Sequence, residues 1–501
     1  MTSLWLDRTD TFRSDEFHPG TSYDTAVAGA GLTGLVTALL LARSGKNVLV
    51  IEARTPGAVT TGNTTAKVTL LQGTTLSSLR RHHSQKLVNA YVEANREGQA
   101  WLLRYLESRN VRYQHRDAYT YAATLDGVEK LRAEFSTALA AGLEVDYSKD
   151  PGLPYPVRGA VRLGNQAQIH PMEVLDSLIE DVRSHGGKIV SGVRLTGAKG
   201  TDPVEVETDR GTVRADELVL ATGTPVLDRG LYFAKLKPGR SYAAALRLPE
   251  TMTPPEGMYI SVEQPTRSLR DHPLDGTDGT RLLLVGGNGH QGGRARSMEA
   301  HLDGLVQWAE AQFPGAVTTH TWSAQDYQPI DLMPFFGKLP RSGGRIFLGT
   351  GYNKWGMANA VAAALGISAD ILGGQILWAD AIERRKTPPP GAASAISLNA
   401  DVAATVAKDW AQLSLTRVAE DGSKMPPEGE GVVVRRGRKP VAVSTVNGTI
   451  CSLSAVCTHL GGIVRWNDAE KSWDCPLHGS RFSSDGVVFE GPATHRLPKI
   501  E

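Results

Sequence analysis

Cysteine is scarce in this chain, with three residues in 501. That is too few for a disulfide framework, so a reducing, cytoplasmic setting is expected. A charge excess is also missing. The 54 basic and 53 acidic side chains leave a formal net charge of +1, which argues against a nucleic-acid or anionic-membrane binder. Long apolar runs are absent too. The longest, LVTALLLA at 35–42, is far shorter than the roughly 20 residues of a membrane span. MTSLWLDRTDTFRSDEFHPG, at the start, carries acids where a signal peptide needs an apolar core, and no twin arginine. A soluble intracellular protein is expected, long enough for about three domains.

The clearest positive feature is YDTAVAGAGLTGLVTALLLARSGKNVLVIEAR, residues 23–54. It predicts a strand, a glycine turn, an apolar helix stopped by Gly45, and a second strand ending at Glu52. Gly29 permits the tight turn, Gly31 lets the backbone approach a pyrophosphate, and Gly34 lets the helix pack on the strand. Leu32 and Thr33 open the helix whose N-terminus takes the phosphates. Glu52, followed by Ala53, can accept hydrogen bonds from a ribose hydroxyl. The glycine spacing alone occurs in other α/β turns; with the flanking strands, helix and acid it specifies a dinucleotide, without separating FAD from NAD.

Later segments return to the same place. ELVLATGTP at 217–225 reads as a buried strand and a small-residue turn that brings Ala221, Thr222 and Gly223 near the dinucleotide. GGRIFLGTGYNKWGMANAVAAALG, from Gly343, reads as a strand, a Gly349-x-Gly351 turn and a helix from about Trp355. That second helix N-terminus suits a flavin carbonyl edge or a substrate anion.

These stretches, together with SLWLD at 3–7, TTGNTTAKVT at 60–69, QIHPMEVL at 168–175, LLLVGGNGH at 282–290 and GTGYNKWGM at 349–357, resemble the D-amino-acid-oxidase-like flavoproteins over about the first 375 residues. The likeness is nearest to their gamma-glutamylputrescine oxidase branch. It implies FAD, an α/β Rossmann-like FAD-binding domain split over 1–95, 156–240 and 323–380, and an α+β substrate domain, 96–155 and 241–322, inserted between the pieces. It also implies that Thr61, Gly62, Thr64, Thr65 and Lys67 lie along the flavin, as do Gly351, Trp355, Gly356 and Met357. No cysteine precedes Cys451 and no histidine lies between Glu52 and Leu71, so noncovalent FAD is expected.

RLLLVGGNGHQGG, from Arg281, holds a second spacing, Gly287-x-Gly289-x-x-Gly292. Read as an NADH loop, it would make the chain an NAD(P)H-dependent reductase whose flavin supplies electrons to a partner oxygenase. Three features count against that reading, one being that the next strand ends over thirty residues beyond Gly287, whereas Glu52 lies 23 beyond Gly29. The helix after it is charged and amphipathic, and the next strand, AVTTHTW, ends without an acid.

ERRKTPPPGAASAIS, from Glu383, is charged, then proline-rich, then small, and predicts a linker without regular structure over 381–404. Short strands are expected from 405 to 501, making a small all-β domain. In it stand Cys457-x-His459 and Cys475-x-x-His478, with fifteen residues between His459 and Cys475. Two thiolates and two imidazoles can hold Zn²⁺ tetrahedrally. Glycines in each loop, which free amides to donate to sulfide, and the stiffening Pro476 favour an iron–sulfur cluster instead. The two loops are similar to the Rieske motif. That resemblance implies a 2Fe–2S cluster with Cys457 and Cys475 on one iron and His459 and His478 on the other. High-potential respiratory Rieske proteins carry two further loop cysteines and a tyrosine near a ligand sulfur. This chain has Gly462, Leu477 and Phe482 at those positions and keeps Ser480, so a potential low in the Rieske range is expected.

A flavin exchanges electron pairs with organic molecules, whereas a 2Fe–2S cluster exchanges single electrons. Their pairing predicts an FAD-dependent amine or amino-acid oxidoreductase, a dehydrogenase or oxidase, that takes hydride from the C–H beside nitrogen. Its electrons would leave through the cluster to an acceptor such as a one-electron carrier protein. In a non-enzymatic alternative, the cluster domain is a redox sensor or docking module. Tyr242, Trp322, Tyr327, Tyr352 and Trp355 are candidates to shape the substrate site, with Arg240 or Lys354 to meet a carboxylate.

Overall fold

The structure, a computed structural model, describes residues 1–9, 12–200, 202–273, 281–415 and 425–500. Apolar strands build a parallel layer first. Ser22–Ala28 pairs in parallel with Val48–Glu52 on one side and Gly211–Leu220 on the other. The sheet order is Phe335–Lys338, Ile346–Thr350, Gly211–Leu220, Ser22–Ala28, Val48–Glu52, Lys188–Ser191, with Val204–Thr208 and Leu195–Lys199 added as an antiparallel edge. Central parallel strands are apolar on both faces and need cover. Helix Leu32–Arg43 supplies it and is itself packed against helices Gly356–Ile371 and Pro171–Ser184, which is why its residues are apolar nearly all round.

A second, mainly antiparallel sheet runs Val317–Pro329, Leu236–Arg247, Arg281–Gln291, Arg267–Pro273, Met258–Ser261, Tyr113–Ala122, Gly159–Ile169, Lys67–Val68, with Val145–Ser148 beside Gly159–Ile169. The chain does not change layers at the expected boundaries: strand Leu236–Arg247 joins the second sheet before 241, and Val317–Pro329 stays in it past 322. Gly159–Ile169 pairs antiparallel with Tyr113–Ala122 before helix Pro171–Ser184 returns the chain to the parallel layer. Helix Gln85–Ser108 runs across the 95/96 boundary, packed along Gly356–Ile371. The second glycine spacing makes no turn into a helix. Arg281–Gln291 continues as a strand between two neighbours, and a Cβ on Gly287 would lie 2.2 Å from the Thr266 carbonyl oxygen. Those glycines allow close backbone approach and form no phosphate cradle.

The linker expected over 381–404 is instead helical: Leu377–Glu383 is followed by Pro389–Leu415. Pro389 and Pro390 occupy its first turn, where a missing N–H and a fixed φ cost little, and alanine-rich sequence extends it. The helix touches both halves. Asn399 Nδ2 donates to the Ala234 carbonyl at 3.0 Å, Asp409 pairs with Arg465 at 2.7 Å, and Val402 and Val406 pack on the C-terminal core. Among the described residues the C-terminal strands begin at Gly431, not near 405, and residues 416–424 lie outside the described residues. A three-stranded sheet (Gly431–Arg436, Lys439–Val446, Thr449–Ser454) and a four-stranded one (Arg465–Asn467, Ser472–Asp474, Arg481–Ser483, Val488–Glu490) complete the chain. Among the described residues no helix is long and apolar enough to cross a membrane.

Candidate functional site

At the end of the first strand Gly29 adopts φ +108°, and a Cβ there would lie 2.3 Å from the Ala221 carbonyl oxygen. Only glycine lets the two strand ends meet. Gly31 then caps helix Leu32–Arg43 without a side-chain acceptor, although Thr61 Oγ1 accepts from the Leu32 amide at 3.3 Å. Gly34 faces away from the opening. Its Cβ would meet the Gly29 carbonyl at 1.9 Å, so it sets helix-to-strand packing. Glu52 closes the second strand, its two carboxylate oxygens accepting from the amides of Ala30 (2.9 Å) and Arg54 (2.8 Å). Burial raises its pKa, and those amides partly oppose the rise.

One cavity of about 1360 Å³, including its open mouth, joins these pieces. Gly29, Gly31, Leu32, Thr33, Glu52, Ala53, Thr61, Thr64, Ala221, Thr222, Gly223, Gly351, Tyr352, Gly356 and Met357 all line it, with Tyr327 and Lys354. A glycine turn, a helix N-terminus and a strand-end acid along one wall fit a dinucleotide. No cysteine or histidine is among the lining residues.

Eight expected residues, Gly34, Gly62, Thr65, Lys67, Arg240, Tyr242, Trp322 and Trp355, are not on this wall. Gly62 packs on Leu6 and the Gly57 carbonyl. Lys67 is buried, its Nζ donating to the Tyr259 carbonyl and Ser268 Oγ, both at 2.6 Å. Desolvation and the charge of Arg270 hold its pKa well below the usual lysine range, and it ties the loop to the second sheet. Trp355 caps helix Gly356–Ile371. The Tyr352 hydroxyl is engaged by Thr33 Oγ1 at 2.9 Å, and burial pushes its pKa up. Tyr242 bonds His290 and Trp322 bonds the Asn63 carbonyl, both at 2.9 Å, as packing residues.

Arg240 has the largest displacement from its expected role. It is fully buried and turned from the cavity, with Nη1 on Ser323 Oγ (2.6 Å) and Glu470, and Nη2 3.7 Å from Asp474. A guanidinium so committed to carboxylates of the C-terminal domain is not free to meet a substrate. Burial alone would raise the pKa of Glu470, but the charges of Arg481 and Arg240 overcome it and hold it at about 2.

The second site is built by two loops. Cys457 N donates to the Gly462 carbonyl (2.8 Å) and Cys475 N to the Ser480 carbonyl (2.8 Å), closing each loop on itself. The sulfurs share a hydrogen bond that lowers the pKa of Cys457, while the same bond and burial raise that of Cys475. Amides of His459 and Leu460 point at the first sulfur, as does the Ser480 hydroxyl, and amides of Leu477 and His478 point at the second. The two imidazoles stand edge to face, centroids 5.2 Å apart. Burial, with the charges of His459 and Arg294, lowers the His478 pKa to about 4, so the ring is neutral and able to bind metal. His459 Nε2 lies 3.2 Å from Asp228 Oδ1, which leaves Nδ1 for a metal. Paired thiols, paired imidazoles and amides aimed at sulfur fit a 2Fe–2S cluster. Gly462 and Leu477 do face one another, a Cβ on Gly462 falling 2.5 Å from the Leu477 side chain.

The two sites adjoin. Gln325 Nε2 donates to the Gly479 carbonyl at 2.8 Å and to the hydroxyl of Tyr327 at 3.1 Å. Arg294 Nε donates to the Pro476 carbonyl at 3.0 Å, and the Phe233 ring lies against those of His459 and His478, centroids 5.1 and 5.0 Å away. Further cavity residues were not legible in the sequence: Arg54, Arg194, Asp326 and, from the C-terminal domain, Phe489, Glu490 and Gly491. Asp326 sits beyond Trp322, where the expected strand stopped. Its Oδ2 is buried without a hydrogen-bond partner.

Comparison with known proteins agrees with this geometry. Residues 24–369 match the family described as FAD dependent oxidoreductase, and 417–501 that described as Rieske [2Fe-2S] domain. Across its whole length the chain is 33% identical to YhfW of Bacillus subtilis, whose name marks it as a Rieske 2Fe-2S iron-sulfur protein, and it covers 97% of that protein. It is 42% identical over 72 residues to the cytochrome b6-f complex iron-sulfur subunit of Synechococcus, 14% of this chain and 42% of that one. In fold it is similar to glycine oxidase from Geobacillus kaustophilus (TM-score 0.61, 18% identity, 73% of this chain, 100% of the other). It is also similar to L-amino acid deaminase from Proteus myxofaciens (TM-score 0.58, 14% identity, 74% and 94%). The chain belongs to the FAD dependent oxidoreductase family, carries a C-terminal Rieske domain, and binds FAD and a 2Fe–2S cluster.

Proposed function

We propose that this chain oxidises an amine or amino acid at its C–N bond and passes the electrons singly through its own cluster to an acceptor, such as a carrier protein. The observation that carries the reading is the docking of the cluster loop on the cavity wall: Tyr327, on that wall, meets Gln325, which holds Gly479 beside the cluster ligand His478. FAD supplies two-electron chemistry toward the substrate, and the cluster supplies one-electron chemistry toward the acceptor. The fold shared with glycine oxidase and L-amino acid deaminase supports an amine or amino-acid substrate. A cavity wall without cysteine or histidine supports noncovalent FAD.

Asp326 is the residue we assign to the substrate nitrogen. Its unpartnered Oδ2 can accept from an ammonium group, and its pKa, raised by burial against the lowering charge of Lys354, makes it able to hold the proton that must leave before the nitrogen lone pair is free. Lys354, on the same wall, can meet a substrate carboxylate in place of the committed Arg240. An anaerobic absorbance titration tests the reading, with NADH, NADPH and then amines and amino acids, polyamine derivatives included. An amine should bleach the flavin band and then the cluster band. Rapid bleaching by NADH alone would defeat the proposal. Asp326→Asn should raise KM for the amine at least tenfold while leaving bound FAD in place.

A further inference from the structure

The FAD cavity is not made by the FAD-binding domain alone. Its Glu52 end is walled by Arg54 and Arg194 from the parallel layer and by Phe489 and Glu490 from the C-terminal domain. The Arg54 guanidinium lies over the Phe489 ring, 5.0 Å from its centroid, and Arg194 Nη2 donates to the Val488 carbonyl at 2.7 Å. Phe489 is only partly buried, an aromatic face turned to a cavity. Glu52 marks where the ribose of the adenosine half belongs, so the adenine base falls beside these residues. A flat base next to an aromatic ring and a guanidinium plane is a stacking arrangement.

We infer that Phe489 and Arg54 form the adenine end of the FAD site, so that FAD bridges the two domains and the Rieske domain is part of the flavin's binding site. This holds whichever substrate and acceptor the protein uses. It has a reciprocal consequence, because a ligand touching both domains must favour their docked arrangement by as much as docking favours the ligand. The redox partners would then be assembled by the cofactor itself: a chain without FAD holds its cluster domain less firmly.

The test uses the full-length protein stripped of FAD and titrated with FAD, following the quenching of flavin fluorescence. Phe489→Ala should weaken FAD binding roughly tenfold or more, and Phe489→Tyr should restore it. The cluster's electron paramagnetic resonance spectrum reports that the C-terminal domain is folded in each variant. ADP, which carries only the adenosine end, should compete for the site and lose affinity by a similar factor. Unchanged FAD affinity in Phe489→Ala with the cluster intact would overturn the inference. So would a loss for FAD that ADP does not share. If the variant loses its cluster, amide exchange in the parent protein decides: adding FAD should slow exchange at residues 488–491. Equal exchange with and without FAD refutes the bridge.

Discussion

Arg240→Met is the substitution whose effect the structure defines most sharply. Arg240 is fully shielded and Asp474 nearly so, while Glu470 keeps about a fifth of its side chain open (19%). Arg481 pairs with the same Glu470 at 2.9 Å, Asp474 at 3.2 Å and Glu490 at 3.3 Å. Removing Arg240 leaves three carboxylates around one guanidinium. Glu470 sits at about 2 against an ordinary 4.5, a difference worth about 3 kcal/mol at 1.36 kcal/mol per unit. Solvent screening and the share owed to Arg481 reduce the part that depends on Arg240 to about 1–2 kcal/mol. That is roughly 5- to 30-fold in the equilibrium for docking the two domains. Glu470→Gln should cost less, since two cations still face two carboxylates and the amide oxygen can still accept from Arg240. The double variant should recover part of the Arg240→Met loss. Anaerobic stopped-flow absorbance separates the steps. Flavin reduction should be unchanged in all three, and cluster reduction should slow most in Arg240→Met. A carboxyl held below its unfolded value stabilises docking above about pH 4.5, and that contribution is lost as pH falls toward about 2. Arg240→Met should flatten this acid dependence. Slowed flavin reduction, or cluster reduction equal to the parent's, would refute the reasoning.

Other substitutions probe each cofactor site separately. Gly29→Ala places a methyl 2.3 Å from the Ala221 carbonyl at φ +108°; the protein should purify without flavin, and retention of full FAD by absorbance would contradict the cradle. Phe482→Tyr adds a hydroxyl inside the core that packs both cysteines. If it donates to sulfur, a net hydrogen-bond worth of about 0.5–1.5 kcal/mol should raise the cluster potential by roughly 20–65 mV, read by a spectroscopic redox titration. Cys475→Ala should abolish the cluster's iron and sulfide while leaving FAD stoichiometry near the parent's, because the flavin wall uses residues 489–491 and not the ligand loop; loss of both cofactors would show that the wall depends on the cluster.

What the sequence made legible was local chemistry. The turn from Gly29 to Gly34 can be read because helix and strand periodicity flank it, and the Cys457 and Cys475 loops because ligand type and spacing are written within a few residues. The helix Pro389–Leu415 was misread because three prolines in a row look like a break, although two of them sit where a helix begins. Arg240 was misread for a different reason. Its chemistry suits a substrate carboxylate, but its partners Glu470 and Asp474 lie more than 200 positions away and in another domain.

The same distance hides the most consequential feature. Nothing around Phe489 in the sequence marks it as a flavin residue, because the signal is its place opposite Arg54 once the two domains dock. Docking depends on the buried charges around Arg481, on the helix that pins Asp409 to Arg465, and on Phe233 packed against the cluster histidines. Phe233 packs on His459 and His478 and Asp228 bonds His459 in this arrangement, so the two imidazoles are turned toward the chain's own flavoprotein half. In the proposed electron path an external acceptor would then take its electrons from another face of the two Cys–His loops, or wait until the domains part. If they must part, Arg240→Met should slow cluster reduction yet speed delivery of electrons from a pre-reduced cluster to a soluble one-electron oxidant. Delivery slowed or unchanged in that variant would place the exit on the face that stays open while the domains are docked.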